Sequence, residues 1–402
     1  MNTSTQNPVI DRPQAANLAI NGGKKIAETN VGMIAVKLSE EEINAAVEVM
    51  RSGMLAMGKH VAEFEAKFAE MTGAKHALAC ANGTCALQLA YGATIEPGDE
   101  VLCPAWTYIA TASMLVAAGA KVVWVDADPN TYTINIDDLR KKVTENTVAI
   151  ACTHLYGNPV NIAEIESIAA ENGLAVIYDA AQSHMATYNG KGLGAYGDCV
   201  TYSFYPTKNM TTGEGGMVTT NDDEIASKIK MLRSHGETAK YEHSYIGFNY
   251  RMTDVEGAVG CKQLDSIQQV TDRRRANAAA LTDALATIDG LHAPTETDNA
   301  THAFHLYPVR IEPDAFMTPE GGENIRDLFC KALNAEGIGT AIHYPRSLTR
   351  QPVFDLPGVE HQPVADSLSQ RLFCVPVHQH LTEQQVAQVG QALKKVADAL
   401  HR

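Results

Sequence analysis

From about Ser39 the apolar positions recur at helical spacing. The segment SEEEINAAVEVMRSG offers Ser39 as an N-cap, glutamates in the first turn and Gly53 at the end, and VAEFEAKFAEMTG repeats the form as far as Gly73. Beyond these two helices, short apolar runs alternate with helical stretches: HALACA, then a helix from Thr84; EVLCPA, then TASMLVAAG; then KVVWVD, TVAIACTHL, LAVIYDAA, CVTYSF and GMVTT. Strands this continuously apolar are buried on both faces, and the intervening helices supply the cover. The pattern therefore predicts an α/β fold with a mostly parallel central sheet. A long helical pattern begins around TDRRRANAAALTDALATI, followed by strand, helix and helix in HLYPVRIE, ENIRDLFCKALNAEGI and LTEQQVAQVGQALKKVADAL. These divisions predict an N-terminal arm over 1–38, a large domain over 39–275 and a smaller C-terminal α/β domain over 276–402. No repeat or low-complexity linker separates the domains, so they are expected to pack firmly.

Composition narrows the partners. With 32 basic against 47 acidic residues the formal charge is -15, which opposes attraction to nucleic-acid phosphates and anionic lipid surfaces. No uninterrupted apolar run reaches the roughly 18 residues of a spanning helix, so no membrane partner is expected either. The 8 cysteines (80, 85, 103, 152, 199, 261, 330 and 374) stand singly among apolar neighbours without a Cys-x-x-Cys pair. They read as reduced core thiols, not as a metal site. The opening MNTSTQNPVIDRPQAANLAI has an acidic residue, two prolines and no apolar h-region, so a cytoplasmic location is expected.

The chemistry concentrates in TYSFYPTKNMTTGEGGMVTT, where an apolar strand runs into a polar, glycine-dense loop carrying one lysine, Lys208, with Ser203 five residues before it. A partly desolvated lysine is nucleophilic and can hold pyridoxal phosphate (PLP) through a Schiff base. Asp179 ends the apolar strand of LAVIYDAAQSH, where open parallel sheets collect their ligands, and a carboxylate there can pair with a protonated pyridine nitrogen. Gln182, three residues on, can hydrogen-bond the ring's phenolic oxygen. In ALACANGTCALQLAYGA a strand breaks at Asn82, Gly83 and Thr84 and a helix starts with Thr84 near its N-cap, an end suited to an anion such as phosphate. Trp106 or Tyr108 of CPAWTYIATA can stack on a flat ring, with Tyr108 preferred, and His154 and His184 lie near the same sheet edge as candidate substrate contacts. Gly192, Gly194 and Gly197 match the dinucleotide fingerprint, but a polar turn precedes them and a strand follows, so they are expected in a hairpin-like loop.

Together SFYPTKNMTTGEGGMVTT, ACANGTCALQLA, PAWTYIATA, DAAQSH and IGFNYRMTDVEGAVGCKQL resemble the DegT/DnrJ/EryC1/StrS family of fold-type I PLP aminotransferases acting on sugars. The resemblance runs from about Ala19 to the final helix. It implies Lys208 as the cofactor lysine, Asp179 and Gln182 on the ring, Gly83, Thr84 and Ser203 as the phosphate cradle, and Tyr108 at the stacking position. It also implies that Asn249 reaches the phosphate of a neighbouring subunit in a homodimer, and that Arg251 serves either the substrate or an interface salt bridge. The activity implied is transfer of an amino group from glutamate or glutamine to a keto sugar by a ping-pong cycle through PLP and PMP. Relatives that remove sugar hydroxyls carry histidine at the lysine position, so Lys208 argues for transamination over a dehydratase or a noncatalytic regulatory relative. LAINGGKKI is reminiscent of members acting on cyclitols, whereas FYPTKNMTTGEGG resembles those acting on nucleotide sugars. Met185 follows His184 where a small residue is common, and is expected to reshape the sugar pocket.

Overall fold

The computed structural model of the chain describes Ile10 and residues 12–402. The rest of the expected N-terminal arm, residues 1–9 and 11, lies outside the described residues.

Seven strands build the central sheet: β1 (His76–Cys80), β2 (Glu100–Pro104), β3 (Lys121–Val125), β4 (Thr147–Thr153), β5 (Ala175–Asp179) and, after the short hairpin of β6 (Thr187–Tyr188) and β7 (Lys191–Gly192), β8 (Cys199–Ser203) and β9 (Gly216–Thr220). Their order is β1-β9-β8-β5-β4-β2-β3, and β9 alone runs antiparallel to its neighbours. Alternate residues of each strand feed two separate cores. Leu102, Ile150, Val176 and Tyr178 face one side, with α2 (Lys59–Thr72) and α6 (Ile162–Asn172). Val101, Ala149, Ala151 and Ile177 face the other, with α3 (Gly83–Thr94), α4 (Ile109–Ala117) and α7 (Asp223–Arg233). This double burial is why the strands read as unbroken apolar runs. The glycine-rich stretch after β7 forms a 3-10 turn at Leu193–Ala195 and enters β8, as its flanking residues predicted.

The first helix, α1 (Glu40–Ser52), begins in a reciprocal capping box between Ser39 and Glu42, and α1 and α2 end at Gly53 and Gly73. Between β3 and β4 lies the short α5 (Ile136–Lys142). The smaller core is built on an antiparallel sheet of β12 (Leu291–His292), β14 (Tyr307–Ile311) and β15 (Leu372–Val375), covered by α9 (Ile325–Ala335) and α11 (Glu383–Leu400). The remaining short elements are the exposed ribbon β10 (Glu237–Ala239) and β11 (Glu242–His243), β13 (Ala300–Thr301) beside β6, and α10 (Pro363–Arg371).

Two features differ from the sequence expectation. The long helix α8 (Asp254–Leu285) begins well before TDRRR; its Cys261 and Ile267 pack in the large core and its Ala278, Leu281 and Leu285 in the small one. The division expected at residue 276 thus falls inside one helix shared by both cores. Residues expected in a separate arm, among them Ile10, Ala15, Leu18, Ile20, Ala27 and Val31, are buried in the C-terminal core, since leaving that much apolar surface in water would oppose folding.

Candidate functional site

The carboxyl ends of β2, β4 and β5 open on a cavity of about 710 Å³ whose wall is completed by the loop after β8 and by residues of the smaller domain. Gly83, Thr84, Tyr108, Asp179, Gln182, Ser203 and Lys208 all border it. Seven residues picked from four separate stretches of sequence therefore meet at one place.

Asp179 is buried at the end of β5. Its Oδ2 accepts a hydrogen bond from the Thr111 hydroxyl at 2.7 Å and its Oδ1 one from the Ala181 amide at 3.0 Å. Burial raises its pKa, and Thr111, Ala181 and the charge of Lys208 hold that rise back. Lys208 is half-buried, and desolvation lowers its amine to about 8, with Asp179 opposing the shift. The Gln182 side chain is fixed at both ends: Oε1 accepts the Tyr156 amide at 2.6 Å, and Nε2 donates to the Tyr344 hydroxyl at 3.1 Å. Tyr344 comes from the smaller domain, and its ring lies 6.1 Å from that of Tyr108, which is 55% exposed.

At the foot of the cavity the N-cap of α3 is Asn82, not Thr84: its Oδ1 accepts the Cys85 amide at 2.9 Å. Thr84 therefore lies inside the first turn, where free amides carry the helix's positive end. Gly83 is pressed against β8, and a Cβ there would fall 2.6 Å from the Ser203 Cβ.

The other candidates lie elsewhere. Trp106 is buried in a satellite core with its ring 5.9 Å from that of Tyr344, and it does not border the cavity. His154 is buried and stacked on Tyr178 at 4.8 Å, its Nδ1 accepting the Val160 amide, and burial pushes its pKa down to about 3. His184 is buried against Tyr202 and Phe204 and is likewise pushed down to about 3. None of these three borders the cavity that holds Lys208 and Asp179. Met185 adopts φ 62 and borders a separate small cavity, so it does not shape the space around Lys208. Asn249 is exposed and Arg251 half-buried, and neither borders the cavity of its own chain. Thr111, Tyr344 and His305 were not singled out in sequence; they reach the site through tertiary packing alone.

The DegT/DnrJ/EryC1/StrS aminotransferase family pattern matches residues 36–394. The chain belongs to this family. It is 37% identical over 380 residues to a pleiotropic regulatory protein of Geobacillus stearothermophilus, covering 92% of this chain and 98% of the relative. To a GDP-perosamine synthase of Caulobacter vibrioides it is 36% identical over 372 residues, covering 91% and 98%. Among solved structures it resembles DesV of S. venezuelae, crystallised with a ketimine intermediate, with TM-score 0.86, 33% identity and coverage of 92% and 99%. The protein is thus a PLP-dependent aminotransferase with the fold of the sugar aminotransferases. Its residues fit that cofactor: an amine with a lowered pKa and a buried carboxylate share one cavity, and Gly83, Thr84 and Ser203 line it at the N-terminal turn of α3, an end suited to a phosphate. Among the described residues no helix is long and apolar enough to cross a membrane.

Proposed function

We propose that this aminotransferase moves an amino group from glutamate or glutamine to a nucleotide-linked keto sugar, in two half-reactions that use the same lysine. The observation that carries the reading is the meeting of Lys208 and Asp179 in one cavity above the α3 terminus. A relative named for GDP-perosamine, a nucleotide-linked amino sugar, supports the acceptor class.

PLP, when bound, supplies an aldehyde that captures amines and a ring that accepts the electrons of the bond broken at the α-carbon. In this reading Lys208 anchors the aldehyde and, once displaced by donor, takes the proton from the donor's α-carbon. In the second half-reaction it delivers a proton to the sugar carbon that gains nitrogen. An amine lowered to about 8 is neutral often enough near neutral pH to act as that base. With the cofactor bound, Asp179 would pair with a protonated pyridine nitrogen, and Gln182, held by Tyr156 and Tyr344, would be the partner of the ring hydroxyl. Gly83, Thr84 and Ser203 would hold the cofactor's phosphate, and Tyr108 would supply the aromatic face for its ring. Asn249 and Arg251, outside the cavity of their own chain, serve the neighbouring site of a homodimer. A cytoplasmic location suits the cysteines, all of them free thiols.

A noncatalytic reading is raised by the relative named as a regulatory protein. The Lys208 and Asp179 pair argues against it, because a scaffold has no use for a desolvated lysine beside a buried carboxylate. The test is the absorption spectrum of the PLP-loaded protein before and after L-glutamate, with Lys208→Ala alongside, followed by UDP-, dTDP- and GDP-linked keto sugars as acceptors. A glutamate-driven shift toward PMP, absent in the variant, is expected. A spectrum identical in wild type and variant would sink the proposal.

A further inference from the structure

Lys208 also borders a second cavity, of about 380 Å³, whose lining does not include Asp179. It is walled by residues 33–39, by α8, by residues 377–380 of the smaller domain and by the lysine loop. Thr207, Lys208, His305, Leu306 and His343 border both cavities, so the lysine is common to the two.

The charge of this space is unusual for a chain of net charge -15. Its lining brings together Lys37, Arg274, His305, His343, His378 and His380, and the one carboxylate there, Glu42, is occupied by the Ser39 amide in the α1 capping box. Arg274 is buried without an ion pair among the described residues. Its Nε donates to Gln379 Oε1 at 3.0 Å and its Nη1 to the carbonyls of Phe304 and His305 at 3.1 Å. Carbonyl dipoles hold the guanidinium in position but leave its charge uncompensated. Around it the imidazoles are driven neutral. Burial, with Arg274, His380 and Lys37 adding to it, pushes His378 down to about 4. His378 is only 7% exposed; its Nε2 faces the Gly32 carbonyl at 3.2 Å and its Nδ1 is buried without a partner. With Lys37, Lys208 and the unpaired Arg274 against the single carboxylate of Glu42, the lining carries an excess of positive charge that an anion would balance.

We propose that this second cavity binds the oxyanion end of a substrate, held by Arg274, Lys37 and His380, while the substrate's reacting carbon turns toward Lys208. The inference rests on the aminotransferase reading for its orientation. Two substrates carry suitable chemistry: the carboxylates of the amino donor and the diphosphate of a nucleotide-linked acceptor. Lys37 and His380 are the residues to change, because Arg274 also fastens the backbone at Phe304 and His305.

The experiment measures equilibrium binding of 2-oxoglutarate and, separately, of UDP, dTDP and GDP to PLP-loaded wild type, Lys37→Ala, His380→Ala and the double variant by calorimetry. Each half-reaction is then followed by stopped-flow absorbance. About tenfold weaker binding per substitution is expected in one arm, the size of one charge-assisted contact, with an unchanged melting temperature. Loss confined to 2-oxoglutarate and the glutamate half-reaction identifies the donor carboxylates, and loss confined to the nucleotides identifies the acceptor diphosphate. Wild-type affinity of the double variant in both arms overturns the proposal, as does failure of wild type to bind any of these anions. If wild type binds an anion in a Lys37-dependent way yet transfers no amino group, the cavity assignment stands and the aminotransferase reading falls.

Discussion

Lys208 is costly to the empty protein for the same reason that it is useful to the reaction. Burial lowers its amine from 10.5 to about 8, so below pH 8 the folded chain carries a desolvated charge that the unfolded chain keeps in water. Between 8 and 10.5 the unfolded state binds more protons than the folded one, so stability from this group rises across that window, and the penalty is gone above it. Apo Lys208→Met is therefore expected to melt above apo wild type at pH 7, with the gap closing as pH climbs from 8 toward 10. Calorimetric melts across that range check this; a variant less stable at pH 7, or a gap independent of pH, contradicts it. At this scale the sequence revealed the chemical residues but not their depth. Lys208 and Asp179 were legible because a strand end beside a polar glycine loop is a local signal. His154 and His184 carried the same local signal, and only the surrounding Tyr178, Tyr202 and Phe204 exclude them from the cavity. Thr111 and Tyr344 are held in place by partners 68 and 162 residues away in sequence, a relation that no motif encodes.

Elements were legible where their ends are marked and obscure where glycine is needed for packing. Ser39 and Gly53 delimit α1 in plain sight. The first half of α8 is obscure in the sequence although Thr253 and Glu256 form a capping box at its start, because Gly257 and Gly260 interrupt its helical pattern. Those glycines are there for α2: a Cβ on Gly257 would fall 2.7 Å from the Val61 amide, and one on Gly260 2.8 Å from the Phe64 ring. The same contact lets Asp254 cap α2 from outside, its Oδ1 accepting the amides of Gly58, His60 and Val61 at 3.0, 2.9 and 3.0 Å. Asp254→Ala leaves those three donors without their acceptor and is expected to cost about 2–3 kcal/mol of stability in urea unfolding. A loss under about 0.5 kcal/mol would mean that water replaces the cap. At the other junction, Gly83→Ala forces α3 away from Ser203. We expect at least tenfold weaker PLP binding by fluorescence titration with the helical circular dichroism retained, since a misplacement of about 1 Å spoils a phosphate cradle. Wild-type PLP affinity in this variant would show that the cradle does not depend on the Gly83 contact.

At the scale of the whole molecule, the separation of Asn249 from its own cavity becomes a statement about assembly. Asn249 is exposed, bridged by its backbone to Ser234 and lying just beyond the β10 and β11 ribbon, where Tyr241 and Ile246 also stand in solvent. If Asn249 is the phosphate ligand proposed above, that position points to the site of a second copy of the chain. In a two-fold dimer each site would then combine Lys208 of one subunit with Asn249 of the other. Lys208→Ala and Asn249→Ala homodimers should each be impaired, the first by about 10³-fold or more and the second mainly in cofactor affinity. Co-refolding equal amounts of the two gives half heterodimers, and each heterodimer has one site with both defects and one with neither. Measured at limiting PLP, amino transfer should return to about a quarter of the wild-type value per site. Activity in the mixture no higher than the average of the two parents would return Asn249 to its own subunit and remove the reason for a shared site.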